Sequence, residues 1–148
     1  GQGESPMTIT GLSKIDHLGD FGPTHLARLA SCGPVRTAVQ VRVVDEDGLD
    51  LLIGQIGEII TRSQTVMQGY WNNSEATTQV IRDGWLWTGD VGYLEESGYL
   101  CLRDRSKDLI ISGGSNIYPR EIEEVLLRHD YYNGIINLRV SKPKCYMP

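Results

Sequence analysis

Three short runs hold the residues whose types and spacing could do chemistry. Asp90 ends Trp85-Leu86-Trp87-Thr88-Gly89-Asp90, Arg105 lies in Asp104-Arg105-Ser106-Lys107-Asp108, and a glycine pair lies in Ser112-Gly113-Gly114-Ser115-Asn116. Set on successive turns between short strands, they suit the holding of a nucleotide. A carboxylate accepts hydrogen bonds from two neighbouring ribose hydroxyls, and a guanidinium offers a planar fork of donors to ribose and phosphate oxygens. Each such charge-assisted bond contributes about 1.5–3 kcal/mol when shielded from water. Gly113 and Gly114 carry no Cβ, so a ligand can pass close to the backbone there.

The elements that must position these residues are short. A helix is expected over residues 24–30, capped by Thr24 and ended by Gly33-Pro34. Residues 35–44 alternate weakly, with Val39, Val41 and Val43 on one side, and read as a strand closed by the turn Asp45-Glu46-Asp47-Gly48. Residues 57–61 read as another strand. Residues 74–81 read as a short helix with Ser74 as cap and Asp83-Gly84 as stop. Strands are expected at 85–88, 99–103 and 109–112, the first two separated by the turn at 95–98. The plainest helix begins at Pro119, where a missing N–H costs nothing, and repeats Ile122, Val125, Leu126 and His129 on one face. Its acids lie early and Arg128 late, which complements the helix dipole. That face reads as packing, not chemistry. The fold class is α+β: a small β-barrel or sheet body, then a hinge within residues 103–108, then the opening of an α+β lid.

Composition bounds the partners. The 148 residues suffice for a real core, since a compact body of this size buries about 68–70% of its unfolded surface. A net charge of −5, with no basic run and no aromatic-plus-basic stripe, argues against a nucleic-acid surface. No apolar stretch approaches the roughly 20 residues that span a bilayer. The small, polar first residues are no secretory signal, and Cys32, Cys101 and Cys145 have neither metal-ligand spacing nor an even count. A cytoplasmic setting with reduced thiols is expected. Asp20-Phe21-Gly22 spells a kinase metal motif, but no catalytic-loop motif precedes it. His17 and His25 flank it without metal-ligand partners.

The order G-W-x-x-T-G-D at residues 84–90, D-R-x-K-D at 104–108 and S-G-G-x-N-I-x-P-x-E-I-E at 112–123 resembles the adenylate-forming enzymes. These are acyl-CoA synthetases, luciferases and peptide-synthetase adenylation domains. Gly57-Glu58-Ile59-Ile60 with Val66-Met67-Gln68-Gly69-Tyr70-Trp71, and Gly1-Gln2-Gly3-Glu4, are similar to two further motifs of that family. The resemblance runs to about residue 129, within the usual slack of a few residues. It implies that residues 1–104 end a large nucleotide-binding domain, and that 105–148 are the hinge and start of a C-terminal lid. Asp90 and Arg105 resemble the family's ribose- and phosphate-contacting pair. A surface ion pair with Asp104 or Asp108 is the plain alternative for Arg105. Gly1, Gln2 and Gly3 would lie along the nucleotide, although Gly3 stands where the family usually has threonine and so lacks a hydroxyl for the α-phosphate. Glu4 resembles the acid that helps hold Mg²⁺, a hard cation that prefers carboxylate oxygen. Lys107 takes the hinge position, and Gly113 and Gly114 resemble the loop lining the pantetheine tunnel of CoA ligases. Met7 and Ile9 read as core.

The resemblance also marks what does not match. No glycine-, serine- and threonine-rich phosphate loop occurs, and no lysine lies in the family's acylation context; Lys142-Pro143-Lys144 lacks the glycine. No catalytic residue is therefore assigned within this chain. The implied function is part of an ATP-dependent acyl-CoA synthetase of the fatty-acid-metabolism kind. ATP or AMP, Mg²⁺ and CoA would be its cofactors and co-substrates, and a small carboxylic acid its substrate, with the fragment inactive by itself. The alternatives are a non-CoA, peptide-synthetase-type adenylation enzyme and a non-catalytic binding or scaffold fragment.

Overall fold

The computed structural model describes residues 1–6, 9–19, 21–112 and 115–127. The chain divides into two compact units, Gly1–Ser106 and Lys107–Pro148. Met7, Asp20, Gly113, Gly114, Arg128, His129, Lys142, Lys144 and Cys145 lie outside the described residues.

The first unit is an open, five-stranded antiparallel sheet with short helices, so of the two expected forms it is the sheet body. The strands are β1 (Gln40–Val44), β2 (Gly57–Arg62), β3 (Ile81–Arg82), β4 (Trp85–Leu94) and β5 (Leu100–Arg105); helix α1 (Pro23–Ala30) precedes β1, and helix α2 (Ser74–Val80) links β2 to β3. β2 lies between β1 and β4, and the far edge of β4 pairs first with β3 and then with β5. Strand-favouring Val, Ile and Thr fill the centre. Val43, Ile59 and Leu100 form the core of one face, with Cys32, Val41, Leu51 and Leu94 packed against it.

Local chemistry moves several expected boundaries. β1 begins only at Gln40, because Ala38 takes φ 65° and interrupts the extended run. Val35 instead forms an isolated bridge with Thr10. α1 starts from Gly22 with Pro23 in its first turn, so Thr24 is not its cap. α2 is capped by Asn73, whose Oδ1 accepts the Ala76 N–H at 3.0 Å, and not by Ser74. Asp83 and Gly84 do not stop that helix. Both take positive φ (50° and 77°) and form the two-residue turn of the β3–β4 hairpin, which matches the natural strand twist.

The other sheet face carries an aromatic-plus-basic layer that no single run of sequence contains. Arg42 and Arg62 lie over the Trp85 ring at 5.1 and 4.5 Å, and Arg82 lies over Trp87 at 4.4 Å. Two strands, β1 and β2, and the β3–β4 hairpin supply it. Arg42 is also paired with Asp50 at 2.5 Å and Arg62 with Gln40 at 2.8 Å, so these cations already have partners within the chain.

In the second unit, β6 (Ile110–Ser112) pairs with β7 (Ser115–Ile117), and α3 (Pro119–Leu127) follows. Ser115–Ile117 had no strand expectation. Arg120 and Glu124 form an i,i+4 pair at 3.1 Å. Ile122 and Val125, expected as a packing face, are 50% and 67% exposed among the described residues.

Candidate functional site

Asp90 does not sit on a turn between strands. It lies within β4, at the end of a bulge. Between the pairs Glu58↔Val91 and Ile60↔Trp87, β2 contributes one residue, Ile59, while β4 contributes Thr88, Gly89 and Asp90. Such a bulge bends the strand and re-aims the side chains next to it. Each bulged residue is tied down. Thr88 is buried; its hydroxyl donates to the Ile59 carbonyl at 2.6 Å and accepts the Asp90 N–H at 3.1 Å. Gly89 takes φ 69°, a conformation open to glycine. Its N–H donates to Glu58 Oε1 at 3.1 Å, and its carbonyl accepts from the Ser106 hydroxyl at 3.2 Å.

Beyond the bulge, Asp90 and Arg105 are register partners in the β4–β5 ladder. Arg105 Nε lies 2.8 Å from Asp90 Oδ1. Arg105 is therefore not merely a partner of Asp104 or Asp108, although its N–H does donate to Asp104 Oδ1 at 2.8 Å. Burial pushes the Asp90 carboxyl above its usual range, and the Arg105 guanidinium opposes that rise.

The other expected residues of this unit gather beside the pair. Gln2 and Ser5 exchange backbone hydrogen bonds at 3.2 and 3.1 Å, which makes Gly3 and Glu4 the tip of a tight turn. The Glu4 carbonyl accepts from Met67 N–H at 2.8 Å, and the Tyr70 hydroxyl donates to Glu4 Oε1 at 2.6 Å. That donation is the largest influence lowering the Glu4 carboxyl below its usual range; its own backbone N–H and, more weakly, Arg105 act the same way. Tyr70 is held in turn by α2, where Thr77 Oγ1 accepts the Tyr70 N–H at 2.9 Å.

These groups line a cleft of about 470 Å³ that includes Gly1, Gln2, Gly3, Glu4, Tyr70, Trp87, Thr88 and Arg105. Asp90 lines a smaller neighbouring cavity of about 60 Å³ with Ile9, Cys32, Ile59, Leu100 and Leu102, and Thr88 and Gly1 border both. Five of the expected residues thus share one cleft, and the sixth, Asp90, reaches it through its ion pair. Ile9 is buried, as expected of core. Lys107 lies in the short 3-10 helix Ser106–Asp108, at the start of the second unit. Gly113 and Gly114 fall outside the described residues.

Sequence reasoning gave no task to Tyr70, Thr88, Glu58 or Trp87. All four stand in the motifs named above, Gly57-Glu58, Gly69-Tyr70-Trp71 and Trp85-Leu86-Trp87-Thr88-Gly89-Asp90, and that placement is the signal the sequence offers. A hard divalent cation bound to phosphates needs one or two carboxylates from the protein. An ionised Glu4 fits that need, and among the described residues no cluster of three metal-ligating side chains occurs. Chemically, the cleft offers a half-buried carboxylate–guanidinium pair for vicinal hydroxyls, and an acid beside it for a phosphate-bound cation. No described helix is long and apolar enough to cross a membrane.

Known proteins match this chain in sequence and fold. The family model for the AMP-binding enzyme matches residues 2–71. The long-chain-fatty-acid–CoA ligase of Bacillus subtilis is 55% identical over 80 residues, 54% of this chain and 14% of that protein. The medium/long-chain-fatty-acid–CoA ligase FadD8 of Mycobacterium tuberculosis is 40% identical over 129 residues, 87% of this chain and 21% of that protein. The O-succinylbenzoate coenzyme A synthetase MenE of Bacillus subtilis, solved with AMP, superposes with a TM-score of 0.74 at 37% identity over 88% of this chain and 25% of its own. The same synthetase has been solved with ATP and a magnesium ion. The chain spans 14–21% of the length of these curated relatives. By its ordered motifs, its sheet and these matches, the chain belongs to the AMP-binding enzyme family.

Proposed function

We propose that this chain is a segment of an ATP-dependent acyl-CoA synthetase and carries the ribose-side half of its nucleotide site. The observation that supports this reading is the Asp90–Arg105 pair, 2.8 Å apart at a pinned bulge and continuous with the cleft that holds Glu4. Asp90 would accept hydrogen bonds from the two ribose hydroxyls. Arg105 would offset its charge and reach ribose or phosphate oxygen. The turn at Gln2, Gly3 and Glu4 would border the phosphates, with Gly3 supplying backbone in place of a hydroxyl. Bound Mg²⁺ would neutralise phosphate charge, and Glu4 would hold it.

In the parent enzyme a carboxylate oxygen attacks the α-phosphorus of ATP. The bond to the β-phosphate oxygen breaks, and acyl-adenylate and pyrophosphate form. The CoA thiol then adds to the acyl carbon, loses its proton and expels AMP. Carboxylate is a poor electrophile, and the mixed anhydride supplies a good leaving group. Residues 1–104 would end the large domain, and 105–148 would be the hinge and the start of the lid. Lys107 is assigned the pivot, and Gly113-Gly114 the passage for pantetheine. The parent protein is assigned to the cytoplasm. The chain by itself carries neither a phosphate loop nor an acylation lysine in its sequence and makes no acyl-adenylate.

The test is calorimetry of AMP and ATP with the chain and with Asp90→Ala. Nucleotide binding that Asp90→Ala abolishes supports the half-site. Equal binding by both chains, or pyrophosphate release by the chain with ATP and a carboxylic acid, counts against this account.

A further inference from the structure

Glu58 is a half-buried acid that the nucleotide reading leaves without a task. It lies on β2 in the ladder pair that borders the bulge, directly paired with Val91. Burial pushes its carboxyl up, the Gly89 N–H and Arg82 pull it down, and the charge of Asp90 pushes it up again. A second acid so close to Asp90 would be a poor choice if it only filled space. Its Oε1 accepts the Gly89 N–H at 3.1 Å, while the next residue on β2, Ile59, offers its carbonyl to Thr88 at 2.6 Å. Two successive residues of β2 therefore grip two successive residues of the bulge. A bulge takes residues out of the regular ladder, and a half-buried N–H released that way needs another acceptor. A carboxylate is the strongest acceptor that a side chain offers.

We propose that Glu58 is the positioning residue for Asp90: it holds the Gly89 amide and so fixes the bulge that aims the Asp90 carboxylate. The grip on Gly89 is a property of the fold, and only its consequence for ribose rests on the nucleotide reading.

The test uses the ¹⁵N-labelled full chain as wild type, Glu58→Gln and Glu58→Ala. Glutamine presents a carbonyl oxygen to the same N–H, and alanine presents nothing. The Gly89 amide proton is expected to follow the Glu58 carboxyl, which burial displaces upward, in the wild type and to lose that step in Glu58→Gln. Glu58→Gln should keep the Asp90 amide shift near the wild-type position, and Glu58→Ala should move it. In the same samples the preference for AMP over 2′-deoxy-AMP should survive in Glu58→Gln and fall about tenfold in Glu58→Ala. A wild-type Gly89 amide that follows no carboxyl titration overturns the proposal, and so does an Asp90 amide left in place by Glu58→Ala. A wild type with the titration but no preference between the two nucleotides leaves the grip standing and removes the nucleotide reading instead. If Glu58→Ala does not fold, the wild-type and Glu58→Gln titrations still decide.

Discussion

The Tyr70 hydroxyl donates to Glu4 Oε1 at 2.6 Å across 66 positions of sequence. The bond ties the turn at the start of the chain to the segment that enters α2. It also fixes the charge state of both groups: the phenol holds the carboxyl down, and the carboxylate holds the phenol up. An acid kept ionised and pointed by a tyrosine is well prepared for a cation.

Removing that hydroxyl should therefore raise the Glu4 carboxyl towards its ordinary value. In Tyr70→Phe, a carbon-detected titration of Glu4 should move to higher pH. In Glu4→Gln, an ultraviolet titration of the phenols should move one tyrosine to lower pH. A Glu4 titration unchanged by Tyr70→Phe would show that the bond does not persist in solution.

Part of this arrangement is legible in the sequence, and part is not. Asp90, Arg105 and Glu4 are visible because their flanking residues are unusual types in a fixed order. The β3–β4 hairpin was within reach, since Asp83-Gly84 is a strong hairpin signal; a helix stop and a hairpin turn both call for residues tolerant of positive φ, and the helical reading of 74–81 took the pair first. The bulge was not visible. It depends on counting β4 against β2, and one strand's sequence holds no record of its partner's register. The arginine–tryptophan layer is hidden for the same reason, because Arg42, Arg62 and Arg82 meet Trp85 and Trp87 only after the strands pair.

Arg105→Ala should destabilise the first unit at neutral pH. The Asp90 side chain is 22% exposed and that of Arg105 48%, so the pair falls between the two extremes. Exposed pairs contribute about 0–1 kcal/mol, and breaking a fully buried pair costs about 3–5 kcal/mol. A cost of about 1–2 kcal/mol in a urea melt is expected, discounted for the solvent that reaches the arginine. The double variant Asp90→Asn with Arg105→Ala should recover most of it, since no charge is then left unpaired. A double variant as unstable as Arg105→Ala would locate the effect in lost packing of the arginine stem.

Stability should also depend on pH, with opposing contributions. Asp90 and Glu58 are both raised in the folded chain, chiefly by burial. A raised group contributes stability that is fully present below its unfolded value and lost as pH climbs through its folded value. Asp16 is the reverse. The Ser13 hydroxyl and N–H and the Tyr99 hydroxyl hold it down at about 2, so its contribution is present above its ordinary 3.8 and lost as pH falls towards about 2. The melting temperature should therefore rise on mild acidification from neutrality and then fall in stronger acid. Glu58→Gln should flatten the rise, and Asp16→Asn should flatten the fall. A melting temperature that falls steadily from neutrality would contradict the raised values of Asp90 and Glu58.

Two glycines of β4 should separate stability from ligand geometry. A Cβ on Gly92 would run into the Cys101 carbonyl of β5, backbone that cannot swing aside. Gly92→Ala should then part β4 from β5 and cost about 2–4 kcal/mol. A Cβ on Gly89 has room, its nearest neighbour being Ser106 Oγ at 3.8 Å. Its cost comes from φ 69° alone, about 1 kcal/mol for a residue with a side chain. The backbone can relieve that strain by rotating, and rotation would pull the Gly89 N–H from Glu58 and turn the Asp90 carboxylate. Gly89→Ala should thus melt close to the wild type yet lose most of its preference for AMP over 2′-deoxy-AMP. Urea melts and calorimetry on both variants check this. If Gly89→Ala kept that preference at wild-type strength, the left-handed residue would be dispensable to the aim of Asp90, and the bulge would owe its shape to Thr88 and Ser106.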